Sequence, residues 1–190
     1  MITPSLGCKK DAHLSRLLHF LDLSIRHYGL TNGISESYAE AARVCLDRHH
    51  ASPIEFQIRD NNGDEIKMTA QWDQADERTR SAWANDNDAT EAGAYGLALA
   101  AIEEMRGLVA ISRAETRTGA DYYLGTPGNN LSDLENSIRF EVSGMDRGNY
   151  SAIKRRLEKK IGQAQKGASN LPAIASVVGF EAMVIHSSDC

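Results

Sequence analysis

The chain of 190 residues predicts a mixed α/β fold, of the α+β kind, in which helices pack against a β-sheet. Apolar and polar residues alternate over residues 54–58 and 66–70, which is typical of half-buried strands. The second half shows the order helix, three strands, helix and strand. Apolar residues make up 42% of the chain, as in an ordinary globular protein. We expect a core over residues 88–190 and, over residues 1–87, an extension of two helices and a β-hairpin.

The extension is predicted to begin with a helix over residues 11–28, where leucines and an isoleucine recur at helical spacing. Ser35 is placed to cap a second helix, which ends in a polar cluster before Pro53. The turn at residues 60–64 then joins the two strands of the hairpin. The polar stretch over residues 73–87 is interpreted as a connector that contains one short helix.

The core is predicted to begin with a helix over residues 89–106, capped by Asp88. This helix is apolar nearly all round for its first three turns, so we expect it to be buried. The remaining predicted elements are strands at 108–111, 120–124 and 137–143, a loop at 125–130, a helix at 149–166 and two strand-like segments at 173–178 and 181–186.

Charge and composition narrow the possible partners and the compartment. The net charge of −5 gives no chain-wide basic field, so a nucleic-acid contact requires a local patch. Apolar runs are shorter than the roughly 18 residues that span a bilayer, and no secretory signal is visible. The three cysteines, Cys8, Cys45 and Cys190, are scattered, and Cys45 is interpreted as a core residue. We expect a cytoplasmic protein without membrane contact.

Two carboxylates lie on successive predicted strands, Asp121 on the second and Glu141 on the third, and Glu91 lies on the preceding helix. Period-two alternation places Arg139, Glu141 and Ser143 on one face of the third strand, which we expect to be its polar face. Carboxylate oxygens are the ligands that Mg²⁺ prefers. These positions therefore predict a candidate metal site at the ends of two strands.

This order of elements and these carboxylates resemble the core of the PD-(D/E)XK superfamily, the restriction-endonuclease-like fold, over about residues 88–188. The resemblance assigns Glu91 as the helix carboxylate, Asp121 as the strand aspartate and Glu141 as the first residue of the Glu-x-Lys motif. Ser143 stands where the family has its lysine, which some members carry on the following helix instead. The candidate substitutes are Lys154, Lys159, Lys160 and Arg139.

The resemblance implies a metal-dependent nuclease, or a nuclease-derived subunit of a bacterial defence or DNA-processing system. Its Mg²⁺ ion would be bound by Asp121 and Glu141. The implied catalytic residues are Glu91, Asp121, Glu141, Lys154 and Lys159. The implied nucleic-acid contacts are Arg139, Arg155, Arg156 and Lys160.

Each of these features also has a purely structural interpretation. Glu141 could pair with Arg139 or Arg117 across strands, and Asp121 could cap the turn at residues 118–119. A carboxylate early in a helix, such as Glu91, favours the helix dipole. The basic helix face could simply be solvated. The alternative function is a non-catalytic α/β module that binds a protein partner or a second copy of the chain.

The adjacent histidines His49 and His50 follow Asp47 and Arg48 at the predicted end of the second helix. They lack the spacing of a zinc site. We interpret them as cations at a helix C-terminus or as part of an ion-paired cluster with Asp47.

Overall fold

The computed structural model describes residues 16–61, 63–115, 118–128, 134–166 and 169–190. Within these ranges the chain forms a mixed α/β fold, an eight-stranded sheet with four α-helices, which confirms the predicted class. In chain order the elements are β1 (Arg16–Leu17), α1 (Asn32–Asp47), β2 (Ile54–Asp60), β3 (Glu65–Ala70), α2 (Glu77–Ala82), α3 (Asp86–Arg106), β4 (Val109–Arg113), β5 (Tyr122–Gly125), β6 (Ile138–Met145), α4 (Tyr150–Ala164), β7 (Ala173–Gly179) and β8 (Val184–Asp189).

The strand order of the sheet is β1-β3-β2-β8-β7-β6-β5-β4. Strands β2 and β3 form the predicted antiparallel hairpin, and β2 also pairs in parallel with β8. The hairpin of the N-terminal extension therefore continues the sheet of the second half. Strands β4, β5 and β6 are antiparallel to one another, whereas β6 and β7 are parallel.

Helix α3 packs on one face of the sheet and is buried on nearly all sides, as its apolar sequence predicts. Its outer side is covered by α1. The two helices approach closely at Gly93, where a Cβ atom would lie 2.9 Å from the Cα atom of Ala42. Any side chain at Gly93 would push the helices apart, so glycine permits this close contact.

Helix α4 packs on the opposite face of the sheet. Its Ile153 and Leu157 form an apolar cluster with Ala175 and Val177 of β7 and Val184 of β8. Phe140 and Val142 of β6 belong to the core on the α3 side. Strand β6 therefore has a helix against each face, and its polar residues Arg139, Glu141 and Ser143 lie together on the α4 side.

The predicted helix over residues 11–28 is also wrong over its described part. Arg16–Leu17 is a short strand that pairs with β3, and Leu23–Ile25 is a single 3₁₀ turn. Residues 11–15 lie outside the described part of the chain. The Leu18 N–H donates to the carbonyl of Thr69, so the sheet edge binds the backbone that the helical spacing assigns to a helix. Here tertiary pairing overrides a local pattern.

Two helix starts differ from their predicted positions. Thr31 caps α1 through its hydroxyl, so Ser35 lies inside the helix and is buried. Asn85 caps α3, which begins at Asp86 rather than at residue 89. Helix α4 begins at Tyr150, one residue after its predicted start, and Asn149 caps it with a side chain that accepts from the Ala152 N–H.

Candidate active site

Asp121 directly precedes β5 and lies beside β6. The pairing of β5 with β6 begins at Tyr122 opposite Phe140, and the Asp121 N–H donates to the Phe140 carbonyl at 2.8 Å. Because β6 continues beyond the start of β5, Glu141 and the residues after it lie next to the Asp121 side chain. The two carboxylates predicted as metal ligands are therefore neighbours.

The Asp121 carboxylate is held through both of its oxygens. Oδ2 accepts a hydrogen bond from the Val142 N–H at 2.8 Å, and Oδ1 accepts one from the Tyr95 hydroxyl at 2.7 Å. In the first bond, a side-chain oxygen of Asp121 takes the place of the backbone carbonyl that would accept the next hydrogen bond between the two strands. Asp121 therefore connects α3, β5 and β6, and its carboxylate is not used to cap the turn at residues 118–119.

Glu141 projects towards α4 and contacts Lys160, whose Nζ lies 2.5 Å from Oε1. The two side chains are 15% and 21% exposed. The pKa of Glu141 is raised: burial is the largest cause and the Asp121 charge adds to it, while the Lys160 hydrogen bond opposes both. Lys160 therefore offsets part of the cost of holding two carboxylates side by side.

The lysine beside Glu141 is Lys160, which the sequence interpretation named both as a candidate substitute for the motif lysine and as a nucleic-acid contact. Lys154 and Lys159, the two assigned to catalysis, are exposed on α4, as is Arg155. Lys154 lies towards His186, whose pKa it helps to lower together with burial and Arg59. The register of α4 on the sheet thus selects Lys160 as the lysine nearest to the carboxylates.

Arg139 has a structural role, which corrects the prediction that it contacts nucleic acid. It is 5% exposed. Its guanidinium donates to the backbone carbonyls of Leu171, Thr118 and Ala164 at 3.0–3.2 Å. It does not pair with Glu141, and Arg117 lies outside the described residues. A guanidinium committed to three carbonyls has no accessible edge for a phosphate.

A cleft of about 290 Å³ opens beside Lys160, the partner of Glu141, although neither Glu141 nor Asp121 is among the residues that line it. Its walls are Asn87, Thr90 and Glu91 from the start of α3, residues 142–144 of β6, and Arg156 and Lys160 of α4. Glu91 is exposed, and its Oε1 lies 3.3 Å from the hydroxyl oxygen of Tyr95, whose single proton is donated to Asp121. Tyr95 therefore contacts two of the three carboxylates named from the sequence, Glu91 and Asp121, and Asp121 in turn lies beside Glu141.

Sequence reasoning missed a cluster of three tyrosines and an arginine behind Asp121. The Arg113 guanidinium lies over the rings of Tyr95 and Tyr122, at 4.6 and 4.7 Å from their centroids, and donates to the Tyr38 hydroxyl. Burial raises the pKa of Tyr95, with Asp121 as the next cause, so its hydroxyl keeps its proton and donates to Asp121. The four residues are far apart in the sequence, and no spacing pattern marks them.

The histidine pair forms ion pairs and hydrogen bonds with partners other than Asp47. His49 Nε2 lies 3.1 Å from Asp146 Oδ1, and His50 Nε2 lies 2.9 Å from the Phe180 carbonyl oxygen. Asp47 instead accepts from the Trp72 indole N–H. Cys45 is fully buried, and burial raises the pKa of its thiol to about 12, which fits the predicted core role.

Across the described ranges, no three His, Cys, Asp or Glu side chains gather into a metal-binding group. A metal ion bound here would therefore take its remaining ligands from water or a substrate. None of the helices in these ranges is long and apolar enough to cross a membrane.

Comparison of the chain with protein-family models, curated proteins and solved structures gave no match.

Proposed function

We propose that the cleft beside β6 is the site of a magnesium-dependent phosphodiesterase that acts on nucleic acid. The observation that carries the proposal is the contact of Lys160 with Glu141, next to Asp121. The sequence resembles a nuclease core that lacks its strand lysine, and Lys160 brings a lysine to the same carboxylate from α4.

The donor set fits Mg²⁺. This ion takes oxygen ligands, usually from one or two protein carboxylates, and keeps several waters. Asp121 and Glu141 supply two carboxylates, and each oxygen of Asp121 accepts one hydrogen bond. When bound, Mg²⁺ would offset negative charge on the phosphate and promote formation of hydroxide.

The residues of the chain itself would hold and orient the reacting groups. Tyr95 and the Val142 N–H fix the Asp121 carboxylate, so that its ligand geometry exists before a substrate arrives. The Lys160 ammonium stands at Glu141, where it would hold the attacking water and stabilise the charge that develops on the phosphate. Removing one such preorganised donor from an active site typically costs about 10²–10³-fold in rate.

Local charge supports a nucleic-acid substrate despite the net charge of −5. Helix α4 has exposed basic side chains at Lys154, Arg155 and Lys159, and Arg156 and Lys160 line the cleft itself. A basic face of this kind attracts phosphates by a local field. Binding should therefore weaken steeply as salt is added.

The test is incubation of the purified protein with labelled DNA and RNA in Mg²⁺, in Mn²⁺ and in EDTA. We expect cleavage in either metal and none in EDTA. Asp121→Asn and Glu141→Gln, which keep the shape of the side chains, should abolish cleavage. Cleavage by both variants at the parent rate would place the active site elsewhere, and the absence of cleavage by the parent in both metals would contradict the proposal.

A second candidate function, binding of a protein partner or of a second copy, is favoured by apolar side chains near the start of the described chain. Ile25 is 81% exposed and Tyr28 is 73% exposed. Large apolar side chains exposed this close together are typical of interaction surfaces. Sedimentation of the parent and of an Ile25→Asp, Tyr28→Ser double variant over a concentration series tests self-association. Monomers at all concentrations would exclude the homo-oligomer.

A further inference from the structure

Ser143, which stands at the position of the missing motif lysine, binds an arginine. Its side chain is on the same face of β6 as Glu141, and the residue is 6% exposed. The Arg156 Nε–H donates to Ser143 Oγ at 2.9 Å. A buried hydroxyl on a central strand therefore holds an arginine of α4 in one orientation.

The outer end of Arg156 remains available to a ligand. Within the described ranges, its terminal nitrogens Nη1 and Nη2 make no hydrogen bond or ion pair, and the residue is exposed at the cleft. A guanidinium presents its N–H groups as a planar fork that matches the oxygens of a phosphate. Because Ser143 occupies Nε, the free edge of this fork is the one formed by Nη1 and Nη2.

Arg156 and Lys160 are four residues apart on α4 and therefore lie on the same side of the helix. On β6, their partners Ser143 and Glu141 are two residues apart, which corresponds to about 7 Å along a strand. The two cationic groups are thus displaced from each other along the cleft. This displacement is on the scale of the separation between neighbouring phosphates in an extended nucleic-acid strand.

We infer that Arg156, positioned by Ser143, binds the phosphate next to the one that is cleaved. The inference rests on the proposed function, since the cleaved phosphate is assigned to Asp121, Glu141 and Lys160. It explains what the serine at the motif position does: it supports a phosphate contact instead of supplying the catalytic cation. Arg156 is then a binding residue, and Ser143 is a positioning residue.

The test measures binding without cleavage. Fluorescence anisotropy in EDTA would give the Kd of the full chain for labelled single-stranded DNA, single-stranded RNA and duplex DNA over a salt series. We expect Arg156→Gln to raise Kd about tenfold, and to lower the slope of log Kd against log salt by about one. Arg78→Gln, which removes an equally exposed arginine on α2, is the matched control and should leave Kd within about twofold.

The role of Ser143 is tested by a double-mutant cycle. Ser143→Ala alone should weaken binding less than Arg156→Gln, and should add nothing in the Arg156→Gln background, because it acts only through the arginine. If the Ser143 hydroxyl merely stabilised β6, Ser143→Ala would lower the free energy of unfolding, and its effect on Kd would be the same in the parent and in the Arg156→Gln background.

The inference is overturned if Arg156→Gln binds every probe as well as the parent, if Arg78→Gln weakens binding equally, or if the parent binds no probe. These outcomes are separate from failure of the proposed function, which is read from cleavage in Mg²⁺ or Mn²⁺. If the chain binds through Arg156 in EDTA but never cleaves, the phosphate contact stands and the proposed phosphodiesterase activity is contradicted.

Discussion

Lys160 Nζ lies 2.5 Å from Glu141 Oε1, although the two residues are 19 positions apart in the sequence. The contact joins α4 to β6 beside the Asp121 carboxylate. It gives a half-buried glutamate a cation that its own strand does not supply, because Ser143 occupies the position two residues further on. In the proposed enzyme, this ion pair is what makes the carboxylate pair usable as a phosphodiesterase site.

Tyr95→Phe should slow cleavage, because it removes the hydroxyl that fixes Asp121 Oδ1 at 2.7 Å. Loss of a hydrogen bond to a charged group should also lower the free energy of unfolding by about 1–2 kcal/mol. Tyr123→Phe is the matched control, since its hydroxyl donates to Glu115 and not to the site. Equal cleavage rates for the two variants would show that Tyr95 does not position Asp121. Single-turnover kinetics and urea unfolding supply the measurements.

His27 should make the stability of the protein depend on pH. It is fully buried, its Nδ1 accepts from the Ala110 N–H at 3.0 Å, and burial lowers its pKa, a shift that Glu103 opposes. The unfolded chain therefore binds a proton at a higher pH than the folded one does. The contribution of His27 to the free energy of unfolding is fully present above about pH 6.5. It falls as the pH decreases towards the lowered pKa, by up to about 1.4 kcal/mol per pH unit.

Urea unfolding between pH 5 and pH 8 checks this dependence. His27→Gln should reduce the slope of the free energy of unfolding against pH. His19→Gln, at an exposed position, should keep the slope of the parent protein. A slope that His27→Gln leaves unchanged would assign the pH dependence to other groups.

Gly144→Ala and Gly162→Ala should change stability in opposite directions. A Cβ atom at Gly144 would collide with the backbone carbonyl oxygen of Thr90, which cannot move without shifting α3. We expect a loss of about 1–3 kcal/mol. Gly162 lies inside α4 with open space at its Cβ position, and alanine there should add about 0.5–1 kcal/mol. Chemical denaturation gives the free energy of unfolding of both variants. If neither variant differs from the parent, the close contact at Gly144 is refuted.

The strands that carry the carboxylates could be predicted because alternation and turn residues are local signals. Glu141 falls on β6 as expected, Asp121 directly precedes the neighbouring strand β5, and α4 begins within one residue of its predicted start. The N-terminal helix could not be excluded in the same way. Its helical spacing is genuine, but the backbone at Leu18 is bound by Thr69, about 50 residues away, and no local pattern reports that pairing.

The sequence of α4 contains a signal that selects Lys160 among the candidate lysines. Ile153 and Leu157 are the residues of α4 that pack on the sheet. Lys160 follows Leu157 by three positions and therefore borders the packed side of the helix, whereas Lys159 follows it by two and points away. The tyrosine and arginine cluster differs, because four elements must be assembled before its members meet.

The most direct test of the account compares single-turnover cleavage by Lys160→Met and Lys159→Met in Mg²⁺, after circular dichroism has confirmed that both variants fold. Each substitution removes one positive charge from the same turn of α4, and only Lys160 contacts Glu141. We expect a rate at least about 100-fold lower for Lys160→Met, and a rate within about threefold of the parent for Lys159→Met. Cleavage by Lys160→Met at the parent rate would contradict the account.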